Sequence, residues 1–137
     1  MTLFIVGVLI CSISWGVAGG SVDSSIVPKY VINGLDVYAN SGYEPAVKIW
    51  FKESPYSNAT TLASNIAFFK NIEMLAGNYI SYDLLMTKET NSSNVVYVRL
   101  NYERLPGYVL FTSFKKDGNW VLSKVRLDRH QSFGTVQ

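Results

Sequence analysis

Residues 94–128 read NVVYVRLNYERLPGYVLFTSFKKDGNWVLSKVRLD, a run that predicts three β-strands joined by tight turns. The predicted strands are Val95–Glu103, Tyr108–Lys115 and Asn119–Asp128. Residues 104–107, Arg-Leu-Pro-Gly, form the first turn, and Lys116-Asp117-Gly118 forms the second. An Asp-Gly pair between two alternating runs is a strong hairpin signal. The stretch therefore predicts an antiparallel meander.

Helical patterns precede this meander. Apolar spacing predicts helices over Pro28–Ala39, over Tyr43–Glu53 and from Asn58 or Thr60 to Gly77, a glycine placed to cap the last of them. A further strand is predicted at Ile80–Lys88, whose alternation puts Ile80, Tyr82, Leu84 and Met86 on one face. Helices followed by a meander predict an α+β domain with the N-terminal helices packed on an antiparallel sheet.

The pattern of the N-terminal residues predicts the cellular compartment of the protein. Residues 3–17 form an almost unbroken apolar run, followed by the small residues Ala18-Gly19-Gly20 and a polar stretch. This is the layout of a secretory signal peptide, so we expect residues 1–20 to be removed and residues 21–137 to form a single periplasmic or secreted domain. The alternative is an uncleaved membrane anchor, because the run is only slightly shorter than the roughly 20 residues of a spanning helix.

The composition limits which partners and cofactors the protein is expected to bind. The 12 Lys and Arg and 10 Asp and Glu of the 137 residues are spread without blocks and give a net charge of +2, so we expect no nucleic-acid partner. The one cysteine, Cys11, lies in the apolar run, and the one histidine, His130, follows the last predicted strand in a polar tail. We therefore expect no metal site and no cofactor in the domain.

Several residues of the predicted helices, strands and turns carry a family resemblance. They are Gly42-Tyr43, Ala46, Trp50 and Ser54-Pro55, then Leu100-Asn101-Tyr102-Glu103, Pro106, Phe111 and Gly118-x-Trp120. With the order of elements, they resemble small exported bacterial members of the nuclear transport factor 2-like superfamily over most of the chain after residue 20. The resemblance implies a cone of helices against a curved sheet, a pocket between them and pairing of sheets into dimers. It implies no single function, since the superfamily contains isomerases, dehydratases, transport adaptors and uncharacterised binders.

An isomerase- or dehydratase-like enzyme is one hypothesis. Such a site needs a carboxylate base in an apolar pocket and a tyrosine that donates a hydrogen bond. The candidate carboxylates are Asp83, Glu73 and Glu103, and the candidate donors are Tyr82 and Tyr102. Asp83 lies on the strand face opposite Tyr82, and Glu73 lies near the end of an amphipathic helix, where solvation explains it. The sequence favours a non-catalytic protein, and we assign no catalytic residue.

A binding module with an apolar pocket is the second hypothesis. Its candidate ligand-binding residues are Trp50, Tyr82, Tyr102 and Phe111, on the helix and strand faces that we expect to meet between the helices and the sheet. These side chains either line a cavity for an apolar small molecule or fill the core of the domain.

An interaction protein is the third hypothesis. Alternation groups Val95, Tyr97, Arg99 and Asn101 on one strand face, and Trp120, Leu122, Lys124 and Arg126 on another. Strands in register would join both groups into one aromatic and basic outer surface. Tyr97, Arg99, Trp120 and Arg126 are the predicted interface residues, because Trp, Tyr and Arg are enriched at interface hot spots. We expect this face to form a homodimer; the alternative is a solvated sheet face.

Overall fold

The structure is a computed structural model that describes residues 22–128. Its helices are a short 3-10 turn at Ser24–Ile26, α1 at Lys29–Ser41, α2 at Tyr43–Phe51 and α3 at Ala59–Ala76. Its strands are β1 at Tyr79–Glu89, β2 at Ser93–Tyr102, β3 at Pro106–Lys116 and β4 at Asn119–Leu127. The strands form one antiparallel sheet in the order β1-β2-β3-β4. The helices pack against this curved sheet, which confirms the predicted α+β class.

Three sequence predictions fall outside this range. The predicted signal peptide at residues 1–20, Cys11 and His130 lie outside the described residues. Among the helices that residues 22–128 form, none combines the length and apolar character needed to cross a membrane.

Local chemistry sets the ends of the elements. The Asn58 side chain accepts a hydrogen bond from the backbone N–H of Thr61 at 2.9 Å and caps the start of α3. Gly77 ends α3 with φ of +90°, a conformation that favours glycine. In the turn between β3 and β4, Asp117 has φ of +51° and Gly118 has φ of +80°. Positive φ at both positions is typical of the tight hairpin turn that Asp-Gly predicts.

The core lies between α2 and the middle strands, with Trp50 at its centre. The Trp50 ring centroid stands 4.9 Å from that of Phe111 and 5.3 Å from that of Phe69. Its Nε1–H donates to the backbone oxygen of Val31 at 3.1 Å, so burial leaves no polar atom of the indole unpaired. Gly34 in α1 makes room for this ring: a Cβ added there would stand 2.0 Å from Nε1 of Trp50.

Irregular pairing in β1 changes which side chains share a face. The register with β2 shifts at Ile80 and again between Leu84 and Met86. Ile80 is 61% exposed, and Met86 pairs with Tyr97 on the outer face of the sheet, away from the helices. Tyr82 and Leu84 pack against the core. The predicted common face is therefore right for Tyr82 and Leu84 and wrong for Ile80 and Met86.

A second irregularity lies in β4. Lys124 pairs with Thr112 of β3, but Leu122, two residues earlier, pairs with Ser113, which directly follows Thr112. Ser123 is therefore an extra residue in β4 that has no partner of its own in β3. An extra residue in one strand reverses the alternation of side chains on the two sides of it.

This bulge corrects the predicted outer surface. Leu122 is fully buried in the core beneath the helices, and Trp120, two residues away, lies on the same helix-facing side. Lys124 and Arg126 lie on the outer face, where Arg126 pairs with Leu110. The prediction that Trp120 and Leu122 share a face with Arg126 is wrong, because the extra residue Ser123 reverses the alternation between them.

Candidate functional site

The space between α2 and the sheet, where the sequence predicts a ligand pocket, is filled with packed rings. Trp50 is 1% exposed, Phe111 0% and Tyr102 6%. Tyr82 is half-buried at the margin of the same core. A ligand can enter between Trp50 and Phe111 only by displacing a ring that already fills the space, and such packing is costly to disrupt. Trp50 also borders the open groove described below.

Three tyrosines lie together where α1 meets the ends of β1 and β2: Tyr38 and Tyr102 are buried, and Tyr79 is half-buried. The hydroxyl oxygens of Tyr38 and Tyr102 are 3.1 Å apart and hydrogen-bonded. Tyr79 stacks on Tyr38 with ring centroids 4.0 Å apart. Burial raises the pKa of all three hydroxyls above the ordinary tyrosine value, so they are protonated at neutral pH. They can donate hydrogen bonds but cannot act as bases there.

Glu73 of α3 belongs to this cluster, which the sequence does not indicate. Burial is the main cause that raises the pKa values of Tyr38 and Tyr102, and the charge of the Glu73 carboxylate adds to it. Glu73 is half-buried rather than solvated as expected. A carboxylate and two tyrosines are thus brought together, but both tyrosine side chains are closed to solvent. The cluster is therefore a structural network beneath the surface.

The other candidate carboxylates stand apart from this cluster. Asp83 accepts a hydrogen bond from the Asn101 side chain at 2.9 Å and pairs with Arg99, so it lies on the outer face, opposite Tyr82 as predicted. Glu103 is exposed in the turn after β2. Neither carboxylate is enclosed by apolar side chains, as the carboxylate base of such an enzyme would have to be.

An open groove lies on the helix side of β4, between α1 and the end of α2. Its volume is about 200 Å³, and we call it the Trp120 groove. Six of its lining residues carry the argument: Tyr30, Asn33, Ile49, Lys52, Glu53 and Trp120. They come from three elements and combine an indole, a phenol, an amide and charges of both signs.

Hydrogen bonds hold the walls of the groove in place. The Ser54 hydroxyl donates to the backbone oxygen of Leu122 at 2.6 Å and accepts from the backbone N–H of Tyr56 at 3.1 Å. The first of these bonds ties the segment after α2 to β4, and the second holds the Ser54 hydroxyl in place. The Tyr30 hydroxyl bonds the Ser113 hydroxyl, and burial raises the pKa of Tyr30 to about 12. Both walls are thus fixed before any ligand arrives.

The polar groups at the mouth of the groove are available to a ligand. Asn33, Lys52 and Glu53 are exposed, and no side chain within residues 22–128 forms a hydrogen bond or ion pair with theirs. An amide both donates and accepts, an ammonium donates, and a carboxylate accepts. The groove therefore offers unpaired groups of every hydrogen-bonding type beside a half-buried indole.

A second depression of about 260 Å³ adjoins the first. The two share Glu53, Trp120 and Val121, and the second adds Lys116, Asp117 and Asn119 from the turn between β3 and β4. Lys115 places its Nζ 5.1 Å from the centre of the Trp120 ring. Trp120 thus forms the wall between two neighbouring depressions.

The sequence predictions include two residues that line this groove, Trp120 as an interface residue and Trp50 as a ligand-binding residue, but none of its polar side chains. Tyr30 and Asn33 follow helical i, i+3 spacing on α1 and lie on one side of it, which the sequence could have indicated. The link to Trp120 could not be found in the same way, because the Ser123 bulge decides which side of the sheet the indole occupies.

The outer sheet face keeps three of the four predicted interface residues together. Tyr97, Arg99 and Arg126 lie on it, whereas Trp120 does not. Tyr97 is only 1% exposed, stacks on Tyr108 with centroids 6.1 Å apart and donates its O–H to Asp128 at 2.7 Å. Burial, followed by the Asp128 carboxylate, raises the pKa of Tyr97. Arg99 and Arg126 are exposed.

Within the described part of the chain, no group of three or more His, Cys, Asp or Glu side chains is placed to hold a metal ion.

Comparison with known proteins gives a fold neighbour. No protein-family model matches this chain, and no curated protein matches it. A crystal structure of a DUF4783 family protein from Bacteroides uniformis is similar, with a TM-score of 0.53 and 17% sequence identity. The match covers 74% of this chain and 95% of that chain. At this identity the likeness shows a common fold and nothing about function.

Proposed function

We propose that this protein is an exported, non-catalytic binding module whose ligand site is the Trp120 groove. One observation carries the proposal: an indole and three unpaired polar side chains surround an open groove whose walls are held by hydrogen bonds. Ligand sites in proteins combine apolar and aromatic walls with a few placed polar groups in the same way. The apolar run at residues 3–17 and the small residues after it support export to the periplasm or beyond.

Membership of the nuclear transport factor 2-like superfamily is part of the proposal. Helices packed against a curved sheet of four antiparallel strands support it. The site proposed here differs from the pocket that the resemblance implies, because the interior between the helices and the sheet is occupied by Trp50, Phe69 and Phe111.

Binding is favoured over isomerase or dehydratase chemistry by the surroundings of the carboxylates. A carboxylate base of that type works inside an apolar enclosure, beside a donor that reaches the substrate. Glu53, the carboxylate of the groove, is exposed. Glu73 lies beside tyrosine donors, but Tyr38 and Tyr102 are buried away from any incoming molecule. Neither arrangement supplies both parts of the reaction.

Ligand-observed NMR with a chemically diverse fragment set tests the proposal. We expect fragments to bind the wild type, and we expect most of that binding to be lost in Trp120→Ala. Tyr56→Ala is the matched control, because Tyr56 is an exposed aromatic residue outside the groove. Fragment binding that persists in Trp120→Ala would contradict the proposed site.

Assembly through the outer sheet face is the second candidate function. Asp83 lies on β1 at one side of this face, and Lys124 and Arg126 lie on β4 at the other. A two-fold axis parallel to the strands would place β1 of one copy over β4 of the other, with opposite charges facing each other. Half-buried Leu110, between these two sides, would supply apolar contact.

Sedimentation velocity tests this homodimer. We expect Arg126→Glu to shift the protein from dimer to monomer, because it would place a carboxylate against Asp83 of the other copy. Trp120→Ala, on the helix side of the sheet, should leave the oligomeric state unchanged. A wild type that is monomeric at high concentration would contradict the assembly.

A further inference from the structure

We infer that the Trp120 groove and the depression beside it bind a short, neutral saccharide; this inference rests on the proposed binding function. The two spaces, about 200 and 260 Å³, meet at Trp120. Each is smaller than the roughly 300 Å³ at which pockets for drug-sized ligands begin. Each depression therefore suits one sugar ring of a short saccharide, and the Trp120 indole lies between the two rings.

The indole supplies one half of saccharide recognition. A pyranose ring presents a face of C–H groups, and the face of an aromatic ring carries the partial negative charge that attracts them. Trp120 is half-buried and borders both depressions, so its position is fixed while part of its surface is open. A flat, fixed indole binds a ring at small cost in conformational entropy.

The polar lining supplies the other half. Each depression contains an amide, Asn33 in the first and Asn119 in the second, and at least one carboxylate: Glu53 lines both depressions, and Asp117 lines the second. A carboxylate accepts hydrogen bonds from two neighbouring hydroxyl groups, and an amide both donates and accepts. Pairs of adjacent hydroxyls on a sugar ring match this set. All four side chains are exposed and form no hydrogen bond within residues 22–128.

Charge argues for a neutral ligand. Lys52 is next to Glu53 in the first depression, and Lys116 is next to Asp117 in the second. Glu53 lines both depressions, so together the two spaces carry two ammonium groups and two carboxylates and have no net charge. An anion would meet a carboxylate in either depression, and a cation would meet an ammonium, so neither gains a net attraction.

The geometry of β4 argues against a peptide that adds a strand to the sheet. β4 is an edge strand, and strand addition needs its free backbone groups. The backbone oxygen of Leu122 already accepts the Ser54 hydroxyl at 2.6 Å. The Ser123 bulge further interrupts the row of backbone groups at the same place.

Calorimetric titration of the full chain tests the inference. The neutral probes are maltotriose, cellotriose and triacetylchitotriose, and the comparison probes are the tripeptide Ala-Phe-Ala and octanoate. We expect at least one trisaccharide to bind with Kd of about 1 mM or tighter. Trp120→Ala should weaken that binding about tenfold, equivalent to ~1.4 kcal/mol. Trp120→Phe, which keeps a flat ring, should weaken it less, and Tyr56→Ala should leave it unchanged.

Asn33→Ala and Asp117→Ala, one in each depression, should each weaken binding several-fold. These variants keep the test informative if Trp120→Ala fails to fold. Trisaccharide binding that is indifferent to Trp120 and to both polar variants would overturn the inference. Binding of the tripeptide or octanoate alone, in a Trp120-dependent manner, would overturn the saccharide and leave the binding function standing. If neither the probes nor the fragments bind in a Trp120-dependent manner, both the saccharide inference and the proposed binding function are overturned.

Discussion

Gly34 is the residue of α1 against which the Trp50 indole lies. An added Cβ would stand 2.0 Å from Nε1 of Trp50, and a rigid ring held by the Val31 oxygen cannot move aside. We therefore expect Gly34→Ala to lower the free energy of unfolding by about 1–3 kcal/mol or more. This loss outweighs the gain of about 0.5–1 kcal/mol that alanine brings to a helix interior. Denaturant melts measure the difference.

Asn33→Ala is the control for Gly34→Ala. It places alanine at the adjacent, exposed position of the same helix, so only the helix propensity changes. A Gly34→Ala protein as stable as Asn33→Ala would contradict the packing described for Trp50.

Trp50 itself is a core residue. We expect Trp50→Ala to lower the free energy of unfolding by about 3–5 kcal/mol, the range for removing a large buried aromatic side chain. The substitution removes contacts with Phe69 and Phe111 and leaves the Val31 oxygen without its donor. A loss below roughly 1 kcal/mol in denaturant melts would show that the interior is not packed around this ring.

Four buried or half-buried tyrosines predict that the fold loses stability at alkaline pH. Burial raises the pKa of Tyr30 to about 12 and raises those of Tyr38, Tyr79 and Tyr102 above their ordinary value. Above pH of about 10 the unfolded chain releases tyrosine protons that the folded chain retains. The stabilisation is therefore complete below pH of about 10 and is lost as pH rises toward the folded values.

Melts across this pH range, read beside the absorbance of tyrosinate, measure the effect. Tyr30→Phe should reduce the slope of stability against pH, since it removes one of the groups. A free energy of unfolding that stays flat between pH of about 9 and 12 would contradict the burial of these hydroxyls.

Elements whose ends depend on local chemistry were predictable. Asn58 caps α3 with its own side chain, Gly77 ends it with a positive φ, and Asp117-Gly118 forms the tight turn before β4. Each signal acts within a few residues, so it can be read from the sequence alone. The order of helices and strands followed directly from these signals and from the apolar spacing.

The faces of β1 and β4 were not predictable from alternation. A bulge depends on how a strand pairs with its neighbour, and nothing in the composition of residues 79–89 or 119–127 marks Ile80 or Ser123 as the extra residue. One extra residue is enough to move Trp120 from the outer surface to the groove. The predicted face was wrong for Trp120 for this reason and right for Tyr97, Arg99 and Arg126.

Deletion of Ser123 tests the bulge. Without Ser123, either Leu122 leaves the core or Lys124 turns toward the core. We therefore expect the deletion to lower the free energy of unfolding by about 2–5 kcal/mol, as removal of a large core side chain does. Ser123→Ala is the matched control, because it keeps the residue count, and it should change stability by less than about 0.5 kcal/mol. A deletion variant as stable as Ser123→Ala in urea melts would contradict the register of β4.

In the molecule as a whole, packed side chains fill the interior between the helices and the sheet, and the Trp120 groove lies at the surface. The groove needs Asn33 from α1, Glu53 from the end of α2 and Trp120 from β4, segments that are far apart in the sequence. Their meeting follows from packing, from the Ser54 bond to Leu122 and from the bulge, none of which a single sequence displays. Sequence reasoning found the core residues more readily, since burial follows apolar periodicity.

A crystallographic fragment screen tests the central claim most directly, because it shows where small molecules enter the protein. We expect electron density for bound fragments in the groove, against the Trp120 indole and within hydrogen-bond distance of Asn33 or Glu53. The rings of Trp50 and Phe111 should keep their centroid separation of 4.9 Å, which leaves no space between them for a fragment. Fragments bound between Trp50 and the sheet, with the Trp120 groove empty, would contradict the proposed site.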